Sequence, residues 1–230
     1  MRGVDRIAAI IPVLNEAPSL ALLLPEMPDW VDEIIVVDNG STDGSANVAQ
    51  ALGARVVAAP LRGYGSACAV GAAASTADIL VFLDGDGSDR PDQIARLIDP
   101  VVAGTADLII GSRVLGQREA GSLSLQQRLG NALACWLMRW LWRAHYTDLG
   151  PYRAIRRVAL ARLDLRNRRF GWTVEMQIRA HRQGMTVIEV PVDYRRRLRG
   201  KSKISGTLRG IVLAGWHILG TIFTETRRRD

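Results

Sequence analysis

A chain of 230 residues, 48% hydrophobic and 23% charged, can build one substantial core and is neither disordered nor membrane-embedded in composition. Its formal charge of +7 is unevenly placed: the chain is acid-leaning to about Asp107, and arginines cluster in 153–169, 195–199 and 227–229. That asymmetry points to an anionic partner for the second half: a phosphate, a membrane surface or nucleic acid. Cys68 and Cys135 are the only cysteines, both in apolar surroundings, which implies a reducing compartment and no disulfide framework. The apolar stretch 7–14 is short, broken by Pro12 and continuous with Asn15-Glu16, so no signal peptide is expected. The uncharged run 210–224, as long as any in the chain, falls short of the roughly 20 residues of a spanning helix. A protein that lies on a membrane without crossing it remains compatible with this.

Residues 7–13 read as a first strand, with Pro12 tolerated where the ladder ends, and Asn15 to Ser19 opens a helix through 20–24. A second strand, 33–37, runs into Asp38; Ser41 or Thr42 can cap the helix 46–52 that follows. Residues 55–58 form a short third strand, followed by the loop 60–65 and an alanine-rich helix 66–74. The fourth strand, 79–83, is five apolar residues that stop at Asp84, and Arg90-Pro91-Asp92 starts a helix through Ile94, Leu97 and Ile98. A fifth strand, 108–111, ends in Ser112-Arg113. Strand and helix alternate at βαβ spacing, which predicts an α/β fold on a mostly parallel sheet with right-handed crossovers.

Beyond Arg113 the regularity changes. Residues 126–143 read as a helix carrying Leu129, Leu133, Trp136, Leu137, Trp140 and Leu141; its tryptophans, with Trp142, are core or an interfacial face. A turn-rich loop at 147–153, a short helix at 158–163 and a helix at 174–183 capped by Gly184 follow. A strand at 186–190 closes on Pro191, and 194–205 is a basic loop. The apolar stretch 208–223 with its Arg227-Arg228-Arg229 tail reads as an interfacial helix beside anionic lipid, a core helix or a dimer helix. No repeat, linker or low-complexity tract divides the chain, so one domain is expected.

The polar clusters Asn15-Glu16, Asp38, Asp84/Asp86 and Arg113 each close a strand, so they converge on the carboxyl edge of the sheet, where open α/β folds bind ligands. Asp84 and Asp86, one residue apart, are hard oxygen donors suited to Mg²⁺ or Mn²⁺ holding a ligand's phosphates; alone, Asp-x-Asp is also a common solvated turn. Asp38 could reach a ribose or a base. Arg113 and Arg128 are candidates for an acceptor phosphate, because guanidinium forks match phosphate oxygens. His145, His181 and His217 show no ligand spacing.

Pro12-Val13-Leu14-Asn15-Glu16, residues 37–44, Asp84-Gly85-Asp86 and Gly111-Ser112-Arg113 resemble, in order and spacing, the family-2 glycosyltransferases of GT-A fold. Thr147-Asp148 with Gly150-Pro151-Tyr152-Arg153, then Val190-Pro191-Val192, then Arg197 with Gly200, Ser202 and Lys203, is similar to the dolichol- and polyprenyl-phosphate mannosyl- and glucosyltransferase branch. The resemblance covers residues 7–204. It implies inverting transfer of a hexose from a nucleotide sugar, UDP-glucose ahead of GDP-mannose, to a polyprenyl phosphate, with a divalent cation on the diphosphate. Pro12, Asn15 and Glu16 would line the nucleotide pocket and Asp38 would contact the base. Asp84 and Asp86 would face the ribose, diphosphate and metal, and Arg197, Ser202 and Lys203 would close over the diphosphate.

The implied organisation is a nucleotide-binding half, 1–113, an acceptor half, 114–205, and a C-terminal amphipathic helix with a basic tail, 206–230. A phosphomonoester acceptor is already anionic near pH 7 and attacks without a strong base. A hydroxyl acceptor would need a carboxylate base, for which Asp148 and Glu175 are the candidates; either could instead bind sugar hydroxyls. Many members of the branch carry C-terminal membrane spans, whereas this sequence ends at Asp230 without one. The expectation is therefore a cytoplasmic protein, peripheral on the membrane face, with homo-oligomerisation through the C-terminal helix left open. The alternatives are a soluble acceptor, or a non-catalytic protein binding nucleotide sugar or RNA; the paired Asp84 and Asp86 argue against the last and against a nucleic-acid partner.

Overall fold

The computed structural model describes residues 5–200 and 208–228, with backbone alone for 208–214. Seven strands form one sheet in the order β3-β2-β1-β4-β6-β5-β7. In chain order they are β1 (Ile7–Val13), β2 (Glu33–Asp38), β3 (Arg55–Ala58), β4 (Ile79–Phe82), β5 (Leu108–Ser112), β6 (Arg153–Arg156) and β7 (Val187–Pro191). The helices are α1 (Ala17–Leu23), α2 (Ser45–Ala51), α3 (Tyr64–Ala74), α4 (Ile94–Val102), α5 (Leu125–Trp142), α6 (Arg157–Arg162), α7 (Trp172–Arg182) and α8 (Leu208–Arg227).

β1 shows why the sheet lies in the middle. Its side chains alternate between faces, Ala9, Ile11 and Val13 on one and Ala8 and Ile10 on the other, and all are buried. A strand covered on both faces reads as a continuous apolar run, the mark of a parallel sheet between helical layers. On one face Leu20, Leu23, Ile94, Leu97 and Ile98 come from α1 and α4. On the other, Ala67, Cys68, Trp172 and Met176 come from α3 and α7, with Trp172 edge-on to Phe82 at 4.9 Å between centroids. A smaller cluster joins α5, α7 and α8 through Ala134, Met138, Val174, Ile178 and Ile222.

The expected elements are present, with ends shifted by a residue or two. The exception is β6, within what the sequence suggests is turn and helix approach. It runs antiparallel to both β4 and β5, pairing Phe82 with Arg153 and Ile110 with Arg153 at its start. All other strand pairs are parallel. Arg153 at the head of β6 is fully buried, its guanidinium donating to the carbonyls of Gly150, Thr173 and Leu149 and to Gln177 Oε1. Burial outweighs the neighbouring anionic groups and lowers its pKa to about 10.

Candidate active site

The carboxyl ends of β1, β2, β4 and β5 deliver their polar residues to one edge. After β1 the chain turns sharply at Asn15, φ +53°, whose amide donates to Ser41 Oγ and whose Oδ1 accepts the Thr42 amide at 2.7 Å. Asn15 thus ties the β1 corner to the β2 corner. Asp38 is spent in the same junction, its Oδ1 accepting the Ser41 amide at 2.9 Å. The residue after it, on the opposite side of the strand, faces the ligand space: Asn39 accepts from the Gly63 amide and donates to the Leu61 carbonyl. Of the two, Asn39 lines the smaller cavity, and Asp38 braces the corner behind it.

Two cavities open at this edge. The smaller, about 360 Å³, is walled by Pro12, Glu16, Asn39, Arg62, Asp86 and Arg197. The larger, about 600 Å³, includes Arg113, Arg118, Arg128, Leu129, Asp148 and Ile218 in its wall. Asp84, Tyr64 and Phe170 line both, so the two spaces meet at Asp84. Arg62, Tyr64, Arg118 and Phe170 lack any motif signal; Gly63-Tyr64-Gly65 is the one local hint, as the tight loop that turns α3 toward the site.

Between the strand end and the Asp86 carboxylate the backbone is tightly held. A Cβ at Gly85 would come within 2.9 Å of Val13 Cγ2, so Gly85 lets the β4 corner lie against β1. Gly87 has φ +75°, and a Cβ there would lie 2.4 Å from Leu198 Cδ1. That contact belongs to a strap, residues 194–198, laid along 86–89. Its amides at Arg195 and Leu198 donate to the carbonyls of Ser88 and Asp86, and Arg195 Nε donates to the Gly87 carbonyl. Arg197 is thereby placed between Glu16, at 2.6 and 2.7 Å, and Asp86 Oδ2, at 3.0 Å. Ser202 and Lys203 lie outside the described residues.

Three carboxylates share this corner. Burial first, then the charges of Asp86 and Asp89, push Asp84 well above the usual carboxylate range. Burial likewise raises Asp89 to about 7, against the Asp84 amide that it accepts at 3.0 Å. Arg113 and Arg197 offset this crowding only in part, and the remaining cluster of hard oxygen donors fits a divalent cation. Among the described residues no group of three or more His, Cys, Asp or Glu side chains forms a closed metal cage. Two carboxylates with room for phosphate oxygens is the arrangement by which Mg²⁺ and Mn²⁺ are held alongside a nucleotide.

Arg113, at the end of β5, is gripped by Asp148. Oδ2 accepts both the Arg113 amide and Nε at 2.8 Å, and Oδ1 accepts Nη2 at 2.7 Å. The guanidinium also stacks over Tyr194, 5.1 Å from the ring centre. Burial alone would raise Asp148, but the Arg113 charge and hydrogen bonds hold it below the usual range. Such a carboxylate is a weak base, and what the geometry shows it doing is holding Arg113. Glu175 does not reach either cavity. It is buried at the start of α7 and accepts the amides of Arg166 and Asn167, fixing the turn before that helix.

A mostly parallel sheet with two joined cavities at its carboxyl edge, carrying an Asp-Gly-Asp corner and a basic strap, has the layout of the GT-A fold. The family model of glycosyl transferase family 2 matches residues 8–163. An uncharacterized glycosyltransferase of Mycobacterium tuberculosis is 38% identical over 212 residues, 91% of this chain and 94% of that protein. The undecaprenyl-phosphate mannosyltransferase of Micrococcus luteus is 33% identical over 224 residues, 89% of this chain and 90% of the relative. The chain belongs to glycosyltransferase family 2 and is a glycosyltransferase. Its fold also matches the M. tuberculosis glucosyl-3-phosphoglycerate synthase crystallised with Mn²⁺, UDP and glucosyl-3-phosphoglycerate. The TM-score is 0.79 at 23% identity, over 99% of this chain and 82% of that one.

Proposed function

We propose that the chain transfers a hexose from a nucleotide sugar in the smaller cavity to a polyprenyl phosphate in the larger one, with inversion at the anomeric carbon. In this reading residues 1–113 hold the donor and residues 114–205 the acceptor. The observation that carries it is the larger cavity, which opens onto Asp84 and sets Arg113, Arg118 and Arg128 in its wall. Among the described residues its one other lining carboxylate, Asp148, is bound to Arg113. A site with cations and no available base suits an acceptor that brings its own charge, as a phosphomonoester with a second pKa near about 6 does.

Asp84 and Asp86 are the side chains that would hold a divalent cation, Mg²⁺ or Mn²⁺. That ion would neutralise charge developing on the departing nucleoside diphosphate. Arg197 presents a second positive charge beside Asp86, and Glu16 orients it. Arg113, fixed by Asp148 and Tyr194, aims a rigid guanidinium at the acceptor phosphate, so attacking oxygen and anomeric carbon meet beside Asp84. The Micrococcus luteus relative, named for undecaprenyl-phosphate mannosyl transfer, supports the lipid phosphate and a mannosyl donor. The UDP and Mn²⁺ of the similar crystal structure support a uridine donor and the cation. UDP-glucose and GDP-mannose are accordingly the donors to offer first.

A second reading has its own support: the similar synthase was crystallised with a soluble phosphorylated acid product, and arginines recognise a phosphate whatever carries it. One screen separates the two. Each donor is offered with Mn²⁺ and either a short-chain polyprenyl phosphate or a soluble phosphorylated acid. Lipid-dependent release of nucleoside diphosphate supports the proposal. Release with the soluble acid alone replaces the acceptor, and no donor turnover with either overturns the reading.

A further inference from the structure

Helix α5 is apolar on two opposite sides, and the fold covers only one. Ala134, Cys135 and Met138 face inward against α7 and α8. At 3.6 residues per turn, Leu125, Leu129, Leu133, Trp136 and Trp140 fall within about 80° of arc on the far side, and all five are exposed, Trp140 to 70%. Trp136 and Trp140 stack in parallel, 6.3 Å between centroids. The neighbouring α8 adds Trp216, 75% exposed, and Phe223, one heptad apart. Exposed large apolar side chains gathered in this way on one helix and its packed neighbour mark an interaction site.

Charge selects the partner. Arg128, Arg139 and Arg143 border the stripe and are exposed. No Asp or Glu occurs between Glu119 and Asp148, nor between Asp193 and Glu225. A second copy of this face would oppose arginines to arginines with no carboxylate in either segment to pair them. An anionic lipid surface answers both halves of the pattern: headgroups for the arginines, and the acyl boundary for the leucines and tryptophans. Among the described residues no helix is long and apolar enough to cross a membrane. The face is also continuous with the larger cavity, since Leu125 and Leu129 belong to both.

We propose that the outer face of α5, extended by Trp216 and Phe223 of α8, seats the enzyme on an anionic membrane surface so that the larger cavity opens toward the lipid. The docking face stands on its own exposure and charge; the purpose assigned to it rests on the polyprenyl-phosphate reading.

The test is co-sedimentation of the full chain with vesicles of phosphatidylglycerol and phosphatidylcholine, beside vesicles of phosphatidylcholine alone. Wild type should bind the anionic vesicles and release as salt is raised. Trp136→Ser/Trp140→Ser and Arg139→Gln/Arg143→Gln should each lose about tenfold or more in affinity. Circular dichroism and turnover of a water-soluble short-chain acceptor should be unchanged in both, since none of these four residues lines the site. The proposal is overturned if wild type ignores anionic vesicles at low salt or if the variants bind as well as wild type. It is also overturned if wild type forms a concentration-dependent dimer that the tryptophan variant disperses, which would make the stripe a self-interface. Vesicle binding without transfer to any polyprenyl phosphate would leave the docking face standing and remove the acceptor assignment instead.

Discussion

The Arg113–Asp148 clamp permits a stringent test, because its geometry sets both the size and the form of the expected effect. The Asp148 side chain is 1% exposed and that of Arg113 12%, so the charges meet almost out of water through two short hydrogen bonds, with a third from the Arg113 backbone amide. Removing one partner of such a pair leaves the other as an uncompensated buried charge, at a cost of about 3–5 kcal/mol. Asp148→Leu and Arg113→Met should each destabilise by an amount in that range. The arginine change also loses the Tyr194 contact, about 0.5–1 kcal/mol. The double variant removes both charges together, so its loss should fall short of the sum of the singles by about 2 kcal/mol or more. Guanidinium chloride unfolding followed by circular dichroism measures all four corners of the cycle, and the Tyr194 contribution cancels in it. If the losses add to within about 0.5 kcal/mol, the two residues are not coupled and Asp148 does not position Arg113.

Other parts of the site give sharper chemical readouts. Asp86→Ala should keep the fold and lose Mn²⁺ binding, followed by paramagnetic resonance, together with turnover; full activity at saturating Mn²⁺ would remove the Asp-Gly-Asp corner from the reaction. Arg197→Ala should weaken nucleoside diphosphate binding about tenfold or more while sparing the nucleoside, and equal losses in calorimetry would count against the strap's role. Gly87→Ala forces a left-handed residue and a clash with Leu198 at once. It should cost about 1–3 kcal/mol and raise proteolytic nicking of the strap, so an unchanged melting curve and digest would contradict the contact. The folded pKa of Asp148 lies below its usual 3.8. The stability it supplies is therefore complete above that pH and is lost as pH falls through the folded value. Asp148→Asn should start less stable and lose less between about pH 5 and pH 2; an acid profile parallel to wild type would refute this.

Much of the frame is legible in the residues because the physics is local. β1, β2 and β4 are apolar runs bounded by polar corners, and the Asp84 corner announces itself by three carboxylates in six residues. β6 is not legible: Arg-Ala-Ile-Arg has no strand periodicity, and what makes it a strand is pairing with β4 and β5 while Arg153 caps its own preceding turn and the Thr173 carbonyl. The same limit governs the site. Asp38 or Asn39 is a choice between opposite faces of one strand end, decided by Ser41 from across the turn. Glu175 and Asp148 look alike as acidic candidates until their partners are known: the Arg166 and Asn167 amides with Arg179 and Arg228 away from the cavities for one, Arg113 in the cavity wall for the other. The strap's reach back to Glu16 spans 181 residues, and no local pattern encodes it.

The position of β6 has a consequence for how the chain is made. Among the described residues β5 pairs with β6 and β7 alone, and both follow it in sequence by about forty residues or more. When a growing chain has emerged as far as Arg113, the strand that carries that arginine has no ladder to join. Sheet completion must wait for 153–191, so a fragment ending near Arg113 would expose β5 as an unpaired apolar edge prone to association. The two halves of the enzyme are thus interleaved strand by strand. Neither could be exchanged between relatives as a block without leaving such an edge behind.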